Sequence, residues 1–234
     1  MSKIFRFKQF TVEQEGAAAK IGTDAVLLGA SCPVLPSFQH CLDIGTGTGV
    51  IALMLAQRGA QAVDAIELDS EAYKTAKYNF EQSPWAERLN VYNGDFLDFS
   101  WDKKYDLVVS NPPFYQDSFP IDDHGRARAR SESFLPFPQL IEKVASLLSP
   151  KGIFAVIIPY EYETQFLEES AKNGIFPQEI LRVRGNAQSK IKRSCLALTF
   201  HPENLTQKEI FIEKARHVYN EDYIAIVKDF YLKM

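Results

Sequence analysis

The chain has 234 residues, of which 46% are hydrophobic and 24% charged, with a formal net charge of −4. That balance suits one globular domain with a sizeable core, and no apolar run approaches the roughly 18–20 residues needed to cross a bilayer as a helix. The acidic excess weighs against a protein that binds nucleic acid by charge alone, although a local basic patch would still serve.

Taken in chain order, Phe5 to Gly29 reads as a polar-aromatic stretch leading into a helix, with Thr23 or Asp24 placed to cap Ala25-Val26-Leu27-Leu28. A loop with two prolines, Cys32 to Phe38, precedes a regular alternation. The apolar run His40–Ile44 predicts a strand, Val50–Arg58 a helix, Ala62–Glu67 a second strand and Ser70–Phe80 a second helix of that series. Leu89–Tyr92 and Tyr105–Ser110 predict two more strands. A helix from about Pro138 to Leu148 and a turn at Ser149-Pro150-Lys151-Gly152 lead to a fifth strand, Ile153–Ile158. After a further helix over about Glu161 to Asn173, the apolar runs Ile180–Val183 and Ser194–Phe200 suit an antiparallel hairpin at the sheet edge.

Strands alternating with helices predict an α/β, Rossmann-like doubly wound sheet, with any ligand at the strand carboxyl ends. No repeat or long linker interrupts the pattern. One domain over 1–234 is expected, with 1–38 completing the pocket, 39–200 as the catalytic core and 201–234 as a strand and helix extension.

Asp43-Ile44-Gly45-Thr46-Gly47-Thr48-Gly49 falls at a strand-to-helix turn, where glycines let the backbone approach a ligand closely. Gly47-Thr48-Gly49-Val50-Ile51-Ala52 also satisfies a dinucleotide fingerprint, so the turn alone does not choose between cofactors. Asp43 would repel a pyrophosphate but can hold the cationic amino group of a methionine moiety. Glu67, ending the second strand, can accept from both ribose hydroxyls. Asp95, in Asn93-Gly94-Asp95-Phe96, can accept from an adenine amino group, with Phe96 as an apolar wall.

Asn111-Pro112-Pro113-Phe114 directly follows the fourth strand. The prolines fix the backbone and remove two donors, leaving the Asn111 side-chain carbonyl and the Pro112 carbonyl as a pair of acceptors for the two hydrogens of one NH2 group. Such a pair aims the nitrogen lone pair at a methyl sulfonium, and Phe114 can stack on the planar target. The chemistry expected is therefore methyl transfer from S-adenosyl-L-methionine to a planar nitrogen.

These residues resemble the class I methyltransferases, and Asn111 to Phe114 resembles their amino-group subset. The resemblance implies a seven-stranded sheet whose last strand is antiparallel. A closer likeness lies at the two ends. Phe5-Arg6-Phe7-Lys8-Gln9-Phe10, then Lys20 to Gly29, and His217 to Leu232 are similar to the bacterial family that methylates adenine N6 at position 37 of a valine tRNA. Ala25 departs from the family's Gly-Thr-Asp-Gly run. By this likeness Gly22, Thr23 and Asp24 lie near the pocket, with simple helix capping as the alternative for Thr23 and Asp24. The cofactor set implied is Lys20, Gly22, Thr23, Asp43, Gly45, Gly47, Gly49, Glu67, Leu68, Asp95, Phe96 and Asn111; Asn111, Pro112 and Phe114 are the catalytic set.

Basic residues cluster in Arg126, Arg128 and Arg130 after the catalytic turn, and in Arg182, Arg184, Lys190, Lys192 and Arg193 around the last hairpin. A rim made by Arg126, Arg128, Arg130, Lys190, Lys192 and Arg193 would meet the charge objection by holding tRNA phosphates; the alternative for the first three is a solvated loop. Cys32, Cys41 and Cys195 are widely spaced and no CxxC is present, so neither a metal site nor a disulfide framework is expected, and a reducing cytoplasm suits them. The charged start of the chain has no apolar segment of signal-peptide type. A cytoplasmic, metal-free, membrane-free monomer acting on tRNA is expected. Guanine N2 or protein glutamine N5 methylation, and an RNA-binding module without catalysis, are the competing readings.

Overall fold

The computed structural model describes residues 4–16, 20–113 and 135–234. Among these residues, nine strands form one sheet, in the order 218–219, 206–215, 176–186, 191–199, 148–159, 105–110, 40–44, 62–67 and 89–93. Its central strands are β3 (His40–Ile44), β4 (Ala62–Glu67), β5 (Leu89–Asn93), β6 (Tyr105–Ser110) and β7 (Leu148–Pro159), all parallel. Their near-continuous apolar character follows from burial on both faces. β8 (Phe176–Asn186) runs the same way, and β9 (Ile191–Thr199) is inserted antiparallel between β7 and β8.

The crossovers sort the helices into two layers. α1 (Thr23–Ser31), α2 (Val50–Gln57), α3 (Ser70–Glu81) and α6 (Glu221–Val227) contribute to one apolar cluster with Leu53, Val63 and Val109. α4 (Phe137–Leu147) and α5 (Glu163–Lys172) cover the other face through Phe137, Leu140 and Phe166. A separate hairpin, β1 (Ile4–Arg6) with β2 (Thr11–Glu13), lies against the first layer. It is tied to the end of the chain, where Phe7 bridges to Tyr231 and the Lys8 N–H donates to the Phe230 carbonyl at 2.8 Å.

Three expectations are corrected. The hairpin of β8 and β9 is not at the sheet edge, because β10 (Thr206–Ala215) pairs parallel to β8 and β11 (Val218–Tyr219) pairs with β10. Among the described residues the sheet thus has nine strands rather than seven, with the antiparallel β9 retained. The turn expected at Ser149–Gly152 is a bulge within β7: Tyr105 pairs with Leu148 but Leu107 with Ile153, so the extra residues are absorbed inside the strand. Neither Thr23 nor Asp24 caps α1. Gly22 occupies the cap without a side-chain bond, and Asp24 instead pairs with Arg193 at 2.7 Å.

Candidate active site

Strand register brings the expected site together. Ser110, Ile44, Ile66 and Tyr92 form one row across β6, β3, β4 and β5. The next residues, Asn111 and Gly45 just past their strands and Glu67 and Asn93 at the last positions of theirs, therefore emerge side by side. β3 and β6 are also where the strand order reverses, the place where a doubly wound sheet opens a crevice.

The glycine turn is built for close approach. Gly45 and Gly47 have φ of +68° and +57°, and a Cβ on either would enter open space, so the backbone faces a cradle rather than a packed wall. Gly49, at φ +82°, serves packing instead: a Cβ there would sit 2.5 Å from the Phe80 ring. Gly45 and Thr46 donate to the Ile66 carbonyl at 2.9 and 3.2 Å, which pins the turn to β4.

Glu67 is half-buried at the end of β4. Its Oε2 accepts from the Gly47 N–H at 2.8 Å and its Oε1 from the Asp69 N–H at 3.0 Å. A carboxylate offers about four acceptor positions, so each oxygen keeps one for a further donor. Two adjacent ribose hydroxyls match that remaining capacity.

Asp43 lies elsewhere than a direct ligand would. It is 0% exposed, and its Oδ2 accepts from the Thr46 hydroxyl at 2.6 Å and the Ala52 N–H at 3.1 Å. It holds the turn from within, while Oδ1 is buried without a partner. Burial, opposed by those two donors, pushes its carboxyl up from 3.8 to about 7. The folded protein then keeps this proton at pH values where the unfolded chain releases it. Its contribution is fully present below about 4 and lost as pH rises through about 7. The stability of Asp43→Asn should therefore gain on that of wild type between pH 4 and pH 7. Urea unfolding of both proteins across that range checks this, and a constant difference would refute it.

Asp95 is exposed, with Oδ1 accepting from the Leu97 N–H at 2.8 Å, and Phe96 is buried beneath it. Leu68 is exposed beside Glu67. Asn111 is half-buried, Pro112 buried and Pro113 exposed, and no described residue hydrogen-bonds the Asn111 amide. Ser110 Oγ donates to the Ile44 carbonyl at 3.1 Å, locking the base of this turn to β3. Lys20, Gly22 and Thr23 are exposed at the start of α1. Phe114, Arg126, Arg128 and Arg130 lie outside the described residues.

Three supporting residues escaped the sequence reading. Asn79, buried on α3, accepts from the Glu13 N–H at 2.8 Å and donates to the carbonyls of Glu13 and Thr48 at 2.9 and 2.8 Å. One amide thus joins the N-terminal hairpin to the glycine turn. Asn93 Nδ2 donates to the Glu67 and Leu68 carbonyls at 2.8 and 3.1 Å. Lys143 reaches from α4 to the carbonyls of Leu97 and Phe99 at 2.5 and 2.8 Å, holding the loop that carries Asp95. The only available signal was weak: Thr75 and Asn79 are polar residues four apart on the buried face of α3.

The hairpin arginines are largely engaged. Arg182 pairs with Glu163, Arg184 with Glu209 and Arg193 with Asp24. Lys190 and Lys192 are exposed and form no ion pair among the described residues. No group of three or more His, Cys, Asp or Glu able to hold a metal occurs among the described residues, and among them no helix is long and apolar enough to cross a membrane. A cavity of about 640 Å³ between α1, α6 and strands β8 to β10 is lined by Cys32, Cys195 and Lys208, among others. It lies apart from the glycine turn and holds none of the expected chemistry.

Comparison with known proteins identifies the fold and the family. The family model of the Methyltransferase small domain matches residues 20–171. Solved structures share the fold. Protein Atu636 of Agrobacterium tumefaciens, described as a predicted O-methyltransferase, superposes with a TM-score of 0.66 at 17% identity, covering 88% of this chain and 96% of that one. The glycopeptide N-methyltransferase MtfA complexed with S-adenosylmethionine gives 0.56 at 14% identity, covering 79% and 97%. The sheet and glycine turn are those of a class I methyltransferase that uses S-adenosylmethionine. A Flavobacterium psychrophilum protein named tRNA1(Val) (adenine(37)-N6)-methyltransferase is 46% identical over 99% of this chain and 100% of its own length. A Bacteroides fragilis protein of the same name is 42% identical over 98% of each. The chain belongs to that family.

Proposed function

We propose that this enzyme methylates the exocyclic N6 of adenine 37 in the anticodon loop of a valine tRNA. The observation that carries the reading is Asn111-Pro112-Pro113 at the carboxyl end of β6, in register with the glycine turn of β3. The bound cofactor supplies an electrophilic methyl group on a sulfonium. Glu67 accepts from its ribose, Asp95 from its adenine, and Gly45 and Gly47 line its path, with Phe96 and Leu68 as apolar surfaces. Asp43 acts from beneath by fixing the turn. Lys20, Gly22 and Thr23 close the near side of the pocket.

The Asn111 and Pro112 carbonyls take the two hydrogens of N6 and turn its lone pair toward the methyl carbon. As the new N–C bond forms, the bond between the methyl carbon and the sulfonium sulfur would break and leave a neutral thioether; the alkylated nitrogen is acidic and loses its extra proton to water, so no dedicated base is required. Phe114 stacks on the adenine. An adenine in an anticodon loop is only partly stacked, so presenting it costs less than flipping a paired base. Arg126, Arg128, Arg130, Lys190, Lys192 and Arg193 supply the phosphate contacts, Arg193 while paired to Asp24. The enzyme works as a cytoplasmic monomer.

Mass spectrometry of nucleosides from valine tRNA, prepared from cells with and without the gene, tests the assignment. One N6-methyladenosine should vanish from the anticodon loop in the deletion strain. An unchanged nucleoside profile would overturn the substrate.

A further inference from the structure

Tyr160 directly follows the carboxyl end of β7 and is 41% exposed. Solitary exposed aromatics are ordinary; what sets this one apart is its place and its support. Among the exposed aromatics of the described residues, Tyr78 lies on α3 and Phe176 at the amino end of β8, whereas Tyr160 alone adjoins the strand ends where the catalytic turn emerges.

Beneath its ring is a fixed cation. The Arg182 guanidinium lies 5.9 Å from the ring centroid, within cation–π range. It is held by buried Glu163 through Nε at 3.1 and 3.0 Å and Nη2 at 2.6 Å, while Nη1 donates to Gln207 at 3.0 Å. Ser194 also donates to Glu163. Arg182 is therefore committed to the protein and poorly placed to grip a phosphate. Its effect is to back one side of Tyr160 and leave ring surface facing solvent.

Register gives the spacing. Ser110 pairs with Val156, so Asn111 stands level with Ile157, three residues before Tyr160. Taking strand spacing and rise together, the two backbones are roughly 11 Å apart. Beyond Tyr160 the β8–β9 hairpin carries Lys190 and Lys192 along the same edge, since Arg193 pairs with Pro159. The rim thus presents an acceptor pair, an aromatic ring and two lysines in sequence. That order suits a single-stranded polynucleotide whose phosphates run toward the lysines.

We propose that Tyr160 is a stacking platform for an unpaired RNA base flanking the methylated adenine, which rests on the RNA substrate proposed above. Base–aromatic stacking is worth about 1–3 kcal/mol by alanine substitution. Tyr160→Ala should raise the KM for a valine anticodon stem-loop roughly 5- to 150-fold, that energy converted at 1.4 kcal/mol per tenfold. S-adenosylmethionine affinity should be unchanged, and Tyr160→Phe should behave as wild type.

Abasic substitution of each nucleotide flanking the target separates stacking from simple support of the fold. At one such position the lesion should penalise wild type and Tyr160→Phe but add nothing to Tyr160→Ala. An unchanged RNA KM in Tyr160→Ala, or an equal abasic penalty in all three proteins at every position, would overturn the platform. A wild-type enzyme that leaves the stem-loop unmethylated while modifying another substrate would overturn the substrate reading, and the platform with it.

Discussion

Asn111→Ala should bind S-adenosylmethionine with nearly wild-type affinity yet transfer methyl groups slower by about 10²–10³-fold or more. The asymmetry follows from the layout of the crevice. The glycine turn, Glu67 and Asp95 belong to β3, β4 and β5, on one side of the reversal in strand order, while Asn111 belongs to β6 on the other. On the assignment proposed above, removing its amide leaves the cofactor's main contacts in place. What disappears is one of the two acceptors that turn the target nitrogen, an interaction of use only when the amine is poised for attack. Ser110 and the buried Pro112 keep the turn itself anchored. Calorimetry with the cofactor and single-turnover methylation of the stem-loop measure the two halves separately; unchanged turnover would remove Asn111 from its role.

Glu67→Ala should weaken cofactor binding by about 10- to 100-fold, in line with roughly 1.5–3 kcal/mol for hydrogen bonds to a charged group. Two losses combine. On the proposed assignment the ribose hydroxyls lose their acceptor, and the N–H groups of Gly47 and Asp69 lose the carboxylate that orients them. A ligand lacking one ribose hydroxyl separates the two. It should bind wild type less well than the parent compound, and bind the variant about as well as the parent does. Full affinity in Glu67→Ala would contradict the ribose assignment.

The central fold was legible because its strands are buried on both faces. His40–Ile44, Ala62–Glu67 and Tyr105–Ser110 each read as an apolar run between turn residues, and those limits match β3, β4 and β6. β10 was legible only in part: a strand was expected within 201–234 and Ile210-Phe211-Ile212 is apolar, but Thr206-Gln207-Lys208-Glu209 carries no apolar signal, and its place in the sheet is supported by partners distant in sequence, Gln207 and Glu209 meeting Arg182 and Arg184. The bulge in β7 was hidden for the opposite reason, since Ser149 to Gly152 has the composition of a turn.

At the site, residue identity announced which groups belong to the strand ends but not how each would be used. Asp43 looked like a ligand contact and is instead wholly enclosed. Asn79 and Lys143 had no local mark, because both act on backbone carbonyls far along the chain. The arginines of the last hairpin suggested a free basic surface, whereas Asp24, Glu163 and Glu209 engage three of them.

The contact between Phe7 and Tyr231, with the neighbouring bond from Lys8 to Phe230, has a consequence for biosynthesis. A polypeptide made from its amino end holds the first of these partners early in translation and receives the second only after every strand of the sheet has been made. Asn79 can engage Glu13 much earlier, so the inner strand of the hairpin has a place to dock while the outer strand waits. The tie that fixes the outer strand is therefore made after the sheet it lies beside. A nascent chain still attached to the ribosome would lack that tie until Phe230 and Tyr231 had emerged.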